Sequence, residues 1–153
     1  MVTKRQRDKE TSIVVKNLNK KFRINEKFIK KIAADILSIL KKKKGLEIIF
    51  LGDKEIKPLN RKYKKRNAPT DVLSFELGEL GEIVISSDMA LKNSAIFHTS
   101  FEKEMVLYVI HGILHLFGYD DGTTREKMRM SKKEDAILEV LCQENFLKVL
   151  TRR

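Results

Sequence analysis

The chain is poor in the residues that brace small extracellular proteins. It has one cysteine, Cys142, two prolines and no tryptophan in 153 residues. A single thiol has no disulfide partner within the chain and rules out a zinc site built on several cysteines. With only seven glycines, the composition also excludes collagen-like and Pro/Gly-rich low-complexity classes. No stretch reaches the roughly 20 apolar residues of a membrane-spanning helix, so a membrane is not an expected partner. The opening MVTKRQRDKE is basic, but no apolar core follows it as in a secretory signal. Residues 1–10 read as a basic tail, residues 11–153 as one domain, and the cytoplasm as the expected compartment. Acidic residues are the minority charge, 21 Asp and Glu against 32 Lys and Arg, for a net +11. That surplus points to a polyanion, nucleic acid ahead of a membrane surface.

The periodicity predicts a mixed architecture. Residues 11–16, 46–51, 72–77 and 82–86 are β-branched or apolar runs of strand length, with GELG at 78–81 as a hairpin turn between the last two. Apolar residues recur at helical spacing from Asn25, an N-cap, towards Gly45, a C-terminal stop, with the lysines at 41–44 in the last turn. A short charged helix is expected over 53–64, its start limited by Pro58. Ser87 or Asp88 would cap the next helix, and Thr99 or Ser100 a helix running to Phe117. The run MVLYVI at 105–110 is apolar all round, which makes that helix central and buried. A last helix spans about 124–149 and carries Cys142, read as a core residue. The expected fold is a single α+β domain: a small mixed four-stranded sheet, helices packed on it and a metal-binding central helix.

The chemistry concentrates at the end of that helix. His111 and His115 are four residues apart, one turn along a single face, so both imidazoles can reach one ion. Gly118 turns the chain, and Asp121 falls where the third ligand of the longer zinc-helix pattern would stand. Asp oxygen is an accepted zinc ligand. The alternative for such a pair is two core histidines bonded to backbone carbonyls. A zinc peptidase would need Glu after the first histidine as its base, and Gly112 stands there instead. Three ligands with an open position can still acidify water and polarise a phosphoryl oxygen, and the basic charge moves the expected substrate from peptide to nucleic acid. The run RKYKKR places Arg61, Lys62, Lys64, Lys65 and Arg66 as phosphate contacts around Tyr63, a possible base-stacking ring. A solvated helix face is the alternative for both basic runs. Thr70, Asp71 and Ser74 are candidates for supporting the site, His98 for a surface histidine, and Tyr119 and Asp120 for shaping the turn.

The string HGILHLFGYDD at 111–121 resembles the signature H-G-x-L-H-L-x-G-Y-D-H of the YbeY family and departs only at its last position. Leu59-Asn60-x-x-Tyr63, the run PTDVLSF at 69–75 and the strand GEIVIS at 81–86 resemble further family motifs, and Glu104 and Met128 also fall where members carry them. The resemblance covers about 55–138. It implies a single-domain α+β fold with zinc on three histidines. It also implies single-strand RNA cleavage in rRNA maturation, 16S rRNA 3′ end processing and ribosome quality control, with the ribosomal small subunit and assembly factors as partners. Carried over, His111 and His115 are ligands and Asp121 takes the third ligand position. Lys64 stands where the family has an arginine that contacts phosphate or steadies the transition state, and Glu76 replaces a proline. A carboxylate ligand makes bound water less acidic and shifts the balance slightly towards a harder ion, with zinc still ahead of manganese. Two other readings follow from the departures and the motif: a ribosome-assembly RNA-binding module with a structural metal, and a metallopeptidase.

Overall fold

The computed structural model describes residues 12–143, so the basic tail and the predicted helix beyond Gln143 lie outside the described residues. Four strands, β1 (Ile13–Asn17), β2 (Gly45–Leu51), β3 (Val72–Leu77) and β4 (Leu80–Ser86), form one sheet in the order β1-β2-β4-β3. The first two pairings are parallel, and β3 joins β4 as an antiparallel hairpin. Five helices complete the described fold: α1 (Glu26–Leu40), α2 (Asp53–Lys64), α3 (Ser87–Phe97), α4 (Phe101–Leu116) and α5 (Thr124–Gln143). The expected mixed four-stranded sheet with a buried central helix is therefore what the chain adopts.

Alternation along the strands sorts the core into two layers. Leu46, Ile48 and Phe50 of β2 and Ile83 and Ile85 of β4 are fully buried on one face, in a core shared with α1 and α4. Each such side chain contributes about 1.5–3 kcal/mol relative to exposure. The opposite face is smaller: Leu73 and Val84 meet Ile56 of α2. The helix α4 lies between the sheet and α5, and Met105, Val106, Val109, Ile110, Ile113 and Leu114 are all buried along it.

Several boundaries differ from those expected. Asn25 caps α1, its Oδ1 accepting from the Phe28 N–H at 3.1 Å. The helix ends earlier than Gly45, at Lys41, whose φ of 55° is left-handed, and Gly45 already pairs in β2. The lysines at 41–44 therefore follow the helix and do not sit in its last turn. Pro58 lies inside α2, on its exposed side, and does not limit the helix start. The hairpin turn is only Gly78-Glu79, Gly78 taking φ of 72°, which lengthens β4 back to Leu80. Ser86, one residue earlier than expected, caps α3 through its Oγ, which accepts from the Met89 N–H at 3.1 Å, and Ser100 caps α4. Cys142 is exposed and not core, because Leu141 takes the buried position of that turn.

Candidate metal centre and its cleft

The two histidines lie on one face of α4, half-buried, with Nε2 atoms 3.0 Å apart. After Leu116 the helix stops at Gly118, whose φ of 90° only glycine adopts without strain, and the chain doubles back. The return brings Asp121 Oδ2 to 3.3 Å from His111 Nε2 and 3.5 Å from His115 Nε2. Bonds of about 2.0–2.1 Å to a tetrahedral zinc place neighbouring donors about 3.3 Å apart. The triangle of 3.0, 3.3 and 3.5 Å matches that spacing, and its two imidazoles and one carboxylate suit the same ion. Among the described residues this is the one group of three such donors.

Glu134, on α5, is a participant that the sequence reading did not single out. Its Oε1 accepts from His111 Nδ1 at 2.7 Å. A signal is nonetheless present: Met130, Glu134, Ile137 and Leu141 recur at helical spacing, so one carboxylate interrupts an otherwise apolar stripe. Burial pulls the His111 pKa down, but the hydrogen bond and charge of Glu134, with Asp71 and Asp121, outweigh it and the net shift is upward. His115 shifts downward, from burial first and then the neighbouring His111, and its Nδ1 stands 3.9 Å from Asp120.

The three donors lie in a polar cleft of ≈ 600 Å³. Lys64 and Arg66 enter its wall from the end of α2, and Thr70, Asp71, Ser74 and Glu76 from the following loop and β3. Buried Asn60 ties that loop down by donating to the Ala68 carbonyl at 2.8 Å. Asp71 Oδ1 accepts from the Val72 N–H at 2.8 Å, which fixes the carboxylate at the cleft edge. The Ser74 hydroxyl donates to the Gly112 carbonyl at 2.9 Å and pins α4 to β3. Gly112 itself faces the sheet: a Cβ there would stand 2.6 Å from Ile83 Cγ2. A glutamate at 112 would therefore collide with β4, and the peptidase base is excluded by packing as well as by identity.

The basic run divides. Lys64 and Arg66 line the cleft, whereas Arg61, Lys62, Tyr63 and Lys65 do not. Lys65 is the left-handed C-cap of α2. Tyr63 is exposed, with Phe75 edge-on at 4.8 Å and the Lys62 ammonium 5.2 Å from its ring centre. Tyr119 packs on the core under the Arg129 guanidinium, 4.8 Å from its ring centre. His98 is the exposed cap of α3, Glu104 is buried and accepts from the Thr99 hydroxyl at 2.5 Å, and Met128 is exposed. None of these three lines the cleft.

A family model described as Endoribonuclease YbeY matches residues 14–142. The chain belongs to the YbeY family. The Endoribonuclease YbeY of Nautilia profundicola is 42% identical over 105 residues, 65% of this chain and 75% of that one. That of Syntrophus aciditrophicus is 32% identical over 143 residues, 85% and 89% of the two chains. The solution structure of TM1509 from Thermotoga maritima superposes with a TM-score of 0.63 at 30% identity, covering 86% of this chain and 90% of that one. Family membership makes this an enzyme of the hydrolytic nuclease class. Asp121, Lys64 and Glu76, the three positions where the sequence is expected to depart from the family motifs, all line one cleft. Glu76 does not stand there as a free charge, because Lys44 reaches it at 2.5 Å.

Proposed function

We propose that the chain is a metal-dependent, single-strand-specific endoribonuclease acting in rRNA maturation, including 16S rRNA 3′ end processing, and in ribosome quality control. His111, His115 and Asp121 are its metal ligands, and zinc is the ion, ahead of manganese. The observation that carries this is the donor triangle, set at zinc spacing beside two cations in one cleft. A bound divalent ion supplies an acidified water and a Lewis acid for the phosphoryl oxygen.

The protein's own residues do the rest. Lys64 and Arg66 bind and orient the phosphodiester from the cleft wall. Lys64 delivers a point charge in place of the planar fork of an arginine, so it neutralises phosphate without fixing its rotation. Asp71 and Asp120 are cleft carboxylates beyond the three donors and are placed to take up a proton released there. Arg61, Lys62 and Lys65, with Tyr63 as a stacking ring, extend the contact to flanking nucleotides outside the cleft. The ribosomal small subunit and its assembly factors are the partners that this substrate implies, and the cytoplasm the compartment. Among the described residues no helix is long and apolar enough to cross a membrane.

The departures at Asp121 and Lys64 also fit an RNA-binding module with a structural metal. One experiment separates the two: cleavage of single-stranded RNA by the parent and His111→Ala, with and without chelator, alongside RNA-binding curves. Loss of cleavage with retained binding supports the enzyme. Undiminished cleavage in chelator overturns metal dependence. Tight binding without cleavage by the metal-loaded parent supports the module.

A further inference from the structure

The hydrogen bond between His111 and Glu134 joins two helices at the rim of the metal centre. We propose that Glu134 is a positioning residue for that centre: by accepting the Nδ1 proton of His111 it holds the ring in the tautomer whose Nε2 lone pair is free for a metal. This rests on the metal reading given above.

Three observations carry it. The Nδ1···Oε1 distance is 2.7 Å, while the other nitrogen of the same ring is the one that faces His115 Nε2 and Asp121 Oδ2. An imidazole with its proton fixed on Nδ1 presents a lone pair on Nε2, so the two ends of the ring have separate tasks. Second, Glu134 occupies the apolar stripe of α5 between Met130, 2% exposed, and Ile137, 1% exposed. A carboxylate there loses hydration, and the hydrogen bond that offsets this is the one to His111. Third, the support is one-sided. Among the described residues, His115 has only Asp120 near its Nδ1, at 3.9 Å, beyond hydrogen-bond reach. Of the two imidazoles, His111 is thus the one whose ring is oriented by a carboxylate.

The test uses Glu134→Gln and Glu134→Leu in the full chain. Leucine suits the apolar stripe, and the glutamine oxygen still accepts a proton bond. Zinc affinity is measured by competition with a chromophoric chelator. The His111 tautomer is read from long-range 1H–15N spectra of the metal-free proteins at a pH where both imidazoles are neutral. Partners of this kind typically change metal affinity about 10–100-fold. We expect Glu134→Leu to weaken zinc by about that factor and to move His111 towards the Nε2–H form. Glu134→Gln should keep the Nδ1–H form and fall between. A role confined to packing α5 on α4 would leave the tautomer unmoved. The proposal is overturned if the parent's His111 is mainly Nε2–H, a result that needs no variant to fold. It is also overturned if Glu134→Leu retains both tautomer and affinity. A parent with His111 as Nδ1–H that binds no zinc would sink the metal reading, and the positioning role with it, while leaving the tautomer assignment standing.

Discussion

Gly112 and Ile83 meet where the central helix crosses the sheet, so closely that a Cβ on the glycine would lie 2.6 Å from the isoleucine Cγ2. This close approach sets the height of α4 above β4, and with it the depth at which His111 stands. Gly112→Ala should destabilise the fold by about 1–3 kcal/mol, the usual effect of overpacking, despite alanine's better helix propensity. Ile83→Ala removes that Cγ2, so the double variant should be less destabilised than the sum of the two single variants. Chemical denaturation of the two single variants and the double checks this. Strictly additive effects would show that the two side chains do not compete for the same space.

As a ligand, Asp121 would bring a negative charge in place of the histidine that ends the signature this chain resembles. With Zn²⁺ the three ligands leave a net +1, against +2 for three neutral imidazoles, so bound water should be the poorer acid. Asp121→Asn should weaken metal binding, because a neutral amide is a weaker donor. Asp121→His should shift the pH–rate profile for RNA cleavage to lower pH. Metal titration and the profiles of the three proteins decide it. An asparagine variant with unchanged affinity would place Asp121 outside the ligand set.

The cleft separates two kinds of cation. Lys64→Gln combined with Arg66→Gln should flatten the plot of log affinity against log salt. The slope should fall by about 0.7 for every single-strand phosphate that the variant no longer neutralises. Arg61→Gln with Lys62→Gln should change it less, since neither residue lines the cleft. Slopes unchanged from the parent's in both pairs would mean that the whole run is a solvated face.

In the metal-free protein the two imidazoles should titrate on opposite sides of the ordinary value of about 6.5. For His111, burial works downward, but Glu134, Asp71 and Asp121 win and raise it. For His115, burial and then His111 lower it. The raised group stabilises the fold fully below about 6.5, and that contribution is lost as pH rises through its folded value. The lowered group stabilises it above about 6.5, and that contribution is lost as pH falls through its folded value. Protons should therefore begin to compete with metal at His111 at a higher pH than at an isolated histidine. An NMR titration with both midpoints on one side of 6.5 would refute this.

Sequence reveals here whatever has a period or a forced backbone angle. The histidine pair, the stop at Gly118 and the return of Asp121 are all local, and so are the strand runs and the apolar stripe of α4. Glu134 acts on His111 from 23 residues away, and only the packing of α5 on α4 makes them partners. Gly112 is visible in sequence as a missing base, but the reason for the glycine is Ile83, which no spacing rule connects to it. The cap of α3 is misplaced by one residue because hydroxyls stand side by side at Ser86 and Ser87. Within RKYKKR all the cations look alike, and only the phase of the helix end at Lys64 and the left-handed turn at Lys65 that precedes Arg66 set these two apart.

The three candidate metal donors belong to one stretch, residues 111–121, whereas Lys64, Arg66, Asp71 and Glu134 are brought to them by tertiary packing. A short segment of that kind keeps much of its chelating power after the sheet has come apart. An ion that also binds the denatured chain stabilises the native one by less than its native-state affinity predicts. Zinc would then raise the melting temperature only modestly, the gain coming from what the denatured segment cannot keep: the helical spacing of the two histidines and the carboxylate on the neighbouring helix.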